Sequence, residues 1–438
     1  MTETAETEAL TEHATRPVPE SDTYGWFRVA IVSAMVGFAM PTFVAGVQIF
    51  GSADGNAAFF AILAGGAILA SIGAITGTIG ARTRLSSYML SRIAFGNRGA
   101  MVINLAFALS LLGWFGVNID LFSGAVLRLL RDEFGLSANV YLVEFVAGAL
   151  MTLTTLYGFR AINLLSAFLV PVLAVVTVIL LYQSVGSQPL ANFLPVRKAP
   201  ALSFGDAVST VVGTIIVGAV ILPDITRFVR QWYGAALTAV LSYLVVNAVV
   251  MLAGGFAAVS VSSSDFLAIM IAMGIGLGAF AIVIFGSWVL NSLNLYSAGL
   301  SSRASLPRVS QRVLVLVLGA LGTLAAFADI LDVFLDFLFY LAVVFVPVAG
   351  VIAVDYVVVR RTAYRAAALS GIASLEWTAL TSWALGAAVA LLGSAEVLTI
   401  SGIAAVDAMV ASALSYFLLR TLAGKAPRST AGPESSDA

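Results

Sequence analysis

The sequence predicts an all-α polytopic membrane protein of about twelve transmembrane helices, on three observations. Of the 438 residues, 60% are hydrophobic and only 10% charged, with a mean hydropathy of +1.02. A soluble domain carries about 25% charged residues, so this composition cannot be wrapped in a water-facing surface. Windows of about 20 apolar residues, enough to cross roughly 30 Å of hydrocarbon, recur about twelve times. The basic residues then bracket these windows with one bias. Counted from a cytoplasmic N-terminus, all 22 except Arg128, Arg131, Arg197 and Lys198 fall on one side, as the positive-inside rule requires of a correct helix count.

In chain order, residues 1–23 hold five Glu, one Asp, repeated Thr and two Pro. They read as a disordered cytoplasmic tail, without the basic start and apolar stretch of a secretory signal. Helices follow at roughly 27–50, 57–80, 100–130, 139–158, 162–184, 207–226, 233–259, 267–300, 312–328, 332–358, 376–394 and 398–420, and the longer ones imply tilt or breaks. Residues 425–438 form a second polar cytoplasmic tail. Gly37, Pro41 and Gly46 interrupt the first helix, and Gly213, Gly218 and Pro223 the sixth. Such residues loosen or break a helix, which lipid tolerates only beside protein or a wet cavity. The two breaks correspond if helices 1–5 and 6–10 are inverted repeats, because five helices per repeat reverse the topology. The chain then divides into a first repeat at about 24–184, a second at about 185–360, and helices 11 and 12 at about 361–424.

Several function classes fall away at once. The chain has no Cys, and its one His, His13, lies in the tail, so an intramembrane enzyme lacks its usual nucleophile, base and metal ligands. No catalytic residue, cofactor or metal is expected. A net charge of −1 gives no case for nucleic acid, and the partner implied is the lipid bilayer. A channel would usually repeat its pore motif through subunit symmetry, whereas this chain holds one asymmetric set of polar residues; an uncoupled channel or scaffold remains the rival reading. Nothing in the sequence sets the oligomeric state.

The polar residues inside the apolar windows are few. Trp114 stands near the middle of helix 3, between Gly113 and Gly116, with Asn118 one turn later on the same face. Helix 8 carries Ser287, Asn291 and Asn294, spaced four and then three. An indole face suits a flat ring, and an amide donates and accepts at once. The plain alternatives are an interfacial Trp and Asn residues that join helices. Asp120 is the carboxylate placed in the dry part of helix 3, as a proton carrier or as a partner for an Arg or a helix end.

Five stretches, in order, resemble the nucleobase:cation symporter family one, the purine-cytosine permease family, and within it the cytosine permease branch. They are Ile79 to Gly96 (IGARTRLSSYMLSRIAFG); Gly113 to Val117 (GWFGV); Val211 to Thr214 (VVGT) with Asp224, Arg227 and Phe228; Trp288, Asn291, Leu295, Tyr296, Gly299 and Leu300; and Pro347 to Tyr356 (PVAGVIAVDY) with Arg360 and Arg361. The resemblance implies a LeuT-like five-plus-five inverted repeat with two C-terminal helices. It also implies a multi-pass transporter of the plasma (inner) membrane, working by alternating access and taking up a small heterocyclic substrate by cation symport. By the same resemblance the ring sits between helices 1, 3, 6 and 8, against Trp114, Asn118, Gly213, Thr214, Ile215, Asn291 and Asn294, with Asn291 at the family's polar position.

Two departures bear on the substrate. Ile215 stands where cytosine permeases place a second stacking aromatic, and Leu111 replaces a Gln one turn before Trp114. A nucleobase, cytosine or purine-like, is the first expectation; hydantoin, allantoin or a thiamine-precursor pyrimidine is the alternative. Sodium-coupled members carry hydroxyls on helix 8 where this chain has Val289 and Leu290. That favours H⁺ over Na⁺, with Asp120 as carrier and only Thr42 and backbone near Pro41 left for a sodium ion. Asp224 with Arg227, and Asp355 with Arg360 and Arg361, read as gate or anchor pairs. Glu144, Asp329, Asp332 and Asp336 read as solvated or vestibular, and Asp407 as having no transport role.

Overall fold

Backbone groups in lipid must be satisfied within the chain, so helices are the only open-ended elements that can cross. The computed structural model bears this out and describes residues 17–156, 159–187, 189–194, 200–276, 282–306, 308–328, 330–360, 364–395 and 397–423. Outside them lie Arg16, Arg197, Lys198, Asp329, Arg361, the C-terminal tail and residues 1–16 of the N-terminal tail. Twelve helical spans are traced among the described residues. They are α1 (Trp26–Phe38 with Met40–Ser52), α2 (Gly55–Thr83), α3 (Ser87–Phe134), α4 (Val140–Leu156), α5 (Phe159–Ser187), α6 (Phe204–Thr226), α7 (Trp232–Val261), α8 (Ser287–Ser305), α9 (Gln311–Ala326), α10 (Ile330–Val359), α11 (Trp377–Ser394) and α12 (Ala404–Leu422). Leu109 and Val178, each about three-fifths exposed, belong to an apolar outer face that water would penalise and acyl chains accept.

Both expected breaks are present. The halves of α1 meet at 51°, around Ala39 in extended conformation. Pro41 lies in the first turn after it, where its missing N–H costs nothing. In α6 the helix stops at Val220 and restarts at Pro223. The helix contacts themselves exchange under a shift of five: α1 packs on α7 as α6 packs on α2, and α3 packs on α9 as α8 packs on α4. The result is two bodies, one of α1, α2, α6 and α7 and one of α3, α4, α8 and α9. Glycines bring the backbones together within the first. A Cβ on Gly46 would run into the Met251 carbonyl, and one on Gly80 would lie 2.6 Å from Pro223 Cα. Small residues of this kind replace hydrophobic drive in membrane interiors.

Several sequence expectations are corrected. The window 267–300 is interrupted: a short helix, Phe266–Ala272, ends at Gly274, whose φ of +73° suits only glycine, and among the described residues a π-helical turn, Ile282–Gly286, leads into α8. The last helix starts at Ala404 instead of 398, because the buried Asp407 carboxylate accepts from the N–H groups of Ile400 (3.0 Å) and Ser401 (2.9 Å) and holds the preceding loop. Glu144 is buried rather than solvated. The end of the N-terminal tail is ordered: Val18 N–H donates to the Arg84 carbonyl (3.2 Å), and Tyr24 pairs with Val229 in a parallel bridge.

The motif from Ile79 to Gly96 serves this same end of the bundle. Arg84 donates to the carbonyls of Arg227 (2.9 Å) and Arg230 (3.2 Å), and Ser87 donates through its N–H (2.8 Å) and Oγ (2.7 Å) to Asp224. Gly96, at φ +77°, kinks the foot of α3. The loop before α11 docks there through Asn97 N–H to Ala373 O and Glu376 N–H to Phe95 O. Beside it, Asp355 accepts from the hydroxyls of Tyr364 and Tyr416 (both 2.7 Å) and pairs with Arg360 (3.3 Å). Glu376 in turn bridges Arg360 (3.6 Å) and Arg420 (3.2 Å). The expected Asp355 anchor is therefore a buried network joining α10, α11 and α12.

Candidate functional site

A cavity of about 1070 Å³ opens between α1, α3, α6, α7 and α8. It reaches from the two helix breaks to the arginine-rich end of the bundle, where Arg92, Asn97, Arg303 and Gln311 line its mouth. Of the sequence-predicted residues, the walls hold Pro41 and Thr42 from α1, Trp114 from α3, Thr214 and Ile215 from α6, and Asn294 from α8. Trp114 is held at its edges by α10, with Phe334 at 6.1 Å and Phe337 at 5.5 Å, both near-perpendicular. Gly113 makes this possible: a Cβ there would lie 2.6 Å from the Phe337 ring. Gly116 similarly admits the α9 backbone at Ala326. The two glycines of GWFG thus set the height and angle of the indole.

Four predicted residues do not reach the cavity. Asn291 is fully buried, and its amide donates to the Phe115 carbonyl (2.9 Å) and meets Met151 Sδ (3.3 Å). Asn118 is also fully buried and donates to the Trp114 carbonyl (2.7 Å). Asn291 thereby fastens α8 to α3 next to Trp114, whereas the Asn118 bond stays within α3. Gly213 faces away, admitting the Leu338 backbone of α10. Asp120 lies six residues beyond Trp114, about 9 Å along the helix, where its Oδ2 accepts from Leu331 N–H (3.4 Å) at the start of α10. Its carboxylate thus meets the first turn of α10.

Of the two α8 amides, Asn294 lies on the cavity wall and Asn291 is buried behind it. Asn294→Ala is expected to weaken ligand binding about tenfold with little change in melting temperature, since it removes one wall contact. Asn291→Ala is expected to lower the melting temperature by several degrees, because it unfastens a buried helix contact. Thermal-shift and binding titrations on the two purified variants distinguish these outcomes.

The fold and this cavity define a multi-pass membrane transporter. Residues 18–419 match the family described as permease for cytosine/purines, uracil, thiamine, allantoin, and the chain belongs to that nucleobase:cation symporter family. Cytosine permease of Escherichia coli (strain K12) is 30% identical over 407 residues, covering 93% of both chains; cytosine permease of Escherichia coli O157:H7 matches to the same extent. Among solved structures, the inward-facing conformation of Mhp1 superposes with a TM-score of 0.80 at 22% identity, over 94% of this chain and 93% of that one. Mhp1 in a closed conformation with bromovinylhydantoin bound gives 0.76 at 23% identity, over 94% and 96%. The LeuT-like fold is therefore shared, as the inverted repeat predicts.

Proposed function

We propose that this chain imports a nucleobase, cytosine or a purine-like ring, across the plasma (inner) membrane by cation symport, with H⁺ rather than Na⁺ as coupling ion and both termini cytoplasmic. The observation that carries the reading is the Trp114 indole on the wall of a cavity bounded by both helix breaks, in a chain 30% identical to a cytosine permease. A nucleobase offers a π-face to the indole, while Thr214 and Asn294 supply hydroxyl and amide to its edge. Asn118, Asn291 and Gly213 act from behind as positioning residues. Ile215 opposes the ring with an aliphatic surface, which favours a second reading, a less aromatic ring such as the hydantoin bound in Mhp1. Counterflow into liposomes loaded with cytosine, uracil, hypoxanthine, allantoin or benzylhydantoin tests both; uptake of none of them would refute both.

Proton coupling is supported by the apolar Val289 and Leu290, both buried where hydroxyls would be needed for a sodium cage, and by Asp120 of α3, whose carboxylate accepts from Leu331 N–H at the start of α10. Protonation of Asp120 would weaken its hold on Leu331 and so link the proton to movement of α10. Accumulation in liposomes is expected to follow an inward pH gradient, persist in choline and collapse with a protonophore. Asp120→Asn is expected to keep exchange and lose at least about tenfold in accumulation, since an amide hydrogen-bonds but carries no titrating proton. Strict Na⁺ dependence would refute this and move the cation to Thr42 and the backbone at Pro41.

A further inference from the structure

Beside the two helix breaks stands a group that periodicity does not mark. Tyr243 is only 2% exposed, yet it lines the cavity. It is presented by a π-helical segment of α7, Val240–Val246, and hydrogen-bonded to Ser33 of α1, which also lines the cavity. Its ring is seated on α2 at Gly73, where a Cβ would lie 2.6 Å from the ring edge. Its hydroxyl lies 3.8 Å from the place a Cβ of Gly218 would take, and that same Cβ would lie 3.1 Å from Ile215 Cγ2. Gly218 follows Thr214 by four residues, one turn further along the same wall of α6. The aliphatic face of Ile215 thus ends in a notch over Gly218, with the Tyr243 hydroxyl at its edge.

The π-helical segment is costly. Ser242 Oγ, within it, and Asn247 Oδ1, just after it, are buried without a hydrogen-bond partner, a state that native interiors generally avoid. π turns inside α-helices are frequent at functional sites. Here the cavity-lining side chain within the turn is Tyr243.

We propose that Ser33, Gly218 and Tyr243 form a subsite for an exocyclic carbonyl or amino group of the transported ring; this rests on the heterocycle reading above. Gly218 leaves the space, and the paired hydroxyls donate to a carbonyl or accept from an amine. Recognition of this kind discriminates strongly against an analogue that lacks the group.

The test uses the purified full-length protein, the tightest-binding ring of the counterflow panel, and the analogue of that ring lacking one exocyclic group. Tyr243→Phe keeps the aromatic seat on Gly73 and removes only the oxygen. Its Kd for the parent ring is expected to rise about tenfold while that for the analogue holds, so the ratio between them collapses. Gly218→Ala, which fills the notch, is expected to compress the same ratio and serves where Tyr243→Phe folds poorly. A lowered melting temperature with an unchanged ratio in both variants would mean a structural hydroxyl pair and would overturn the subsite. Trp114→Ala separates the two levels. If it loses binding while the ratio survives in the other variants, only the subsite falls; if it binds normally, or if the unmodified protein binds no ring of the panel, the heterocycle reading falls with it.

Discussion

Trp114→Ala is expected to weaken substrate binding by about 100-fold, the upper range of what stacking between a base and an aromatic side chain contributes. The indole is a half-buried wall of the cavity rather than a core residue, so the variant should still fold, with a melting temperature lowered by the loss of its edge contacts to Phe334 and Phe337. Trp114→Phe should recover much of the affinity, because a smaller π-face remains. Binding titration and thermal shift on the same preparations check both halves. An unaltered Kd in the alanine variant would move the site elsewhere.

Asp355→Ala is expected to have the largest effect on folding. The carboxylate is fully buried and holds two tyrosine hydroxyls and Arg360. Its removal leaves Arg360 with Glu376 as its remaining acidic partner at 3.6 Å, takes the acceptor from the Tyr364 hydroxyl, and leaves the Tyr416 hydroxyl only its bond from Arg420 (3.0 Å). Breaking a buried charged pair from one side costs about 3–5 kcal/mol, enough to abolish a monodisperse peak in size-exclusion chromatography. Asp355→Asn should be milder, since an amide still accepts from a tyrosine hydroxyl. A normal yield and melting temperature for the alanine variant would show that water, rather than Asp355, satisfies this cluster.

Much of this architecture was legible because a membrane allows few solutions. Length, hydropathy and the arginine bias placed twelve spans, and Pro41 and Pro223 marked the two breaks. The failures have physical causes. Gly274 ends a helix inside one unbroken apolar window, and hydropathy does not register a change of backbone direction. Asn291 and Asn294 share a helical face only three residues apart, and an amide is equally at home on a wet wall and in a dry interface, so spacing could not rank them. Glu144 looks like an exposed acid in composition although it is buried, and Asp407 shifts the start of α12 through a loop only six and seven residues before it, which hydropathy does not register. Tyr243 was missed because a π turn shifts the register that a 3.6-residue period assumes. The cavity-lining tyrosine preceded by Gly73 and Gly218 in its contacts is a three-helix relation with no local signature.

The division of the bundle into two bodies has a practical meaning for watching the molecule move. The chain contains no cysteine, so any introduced pair of thiols is free of background labelling. Thr76 Oγ1 donates to the Ala219 carbonyl at 2.6 Å across α2 and α6, within one body, so spin labels at outward-facing positions of those two helices form a fixed ruler. Labels on α3 and α6 straddle the cavity between Trp114 and Ile215, one on each body. Double electron–electron resonance on the two pairs, with and without substrate, would separate rigid-body rocking from local gating as a change in one distance and not the other.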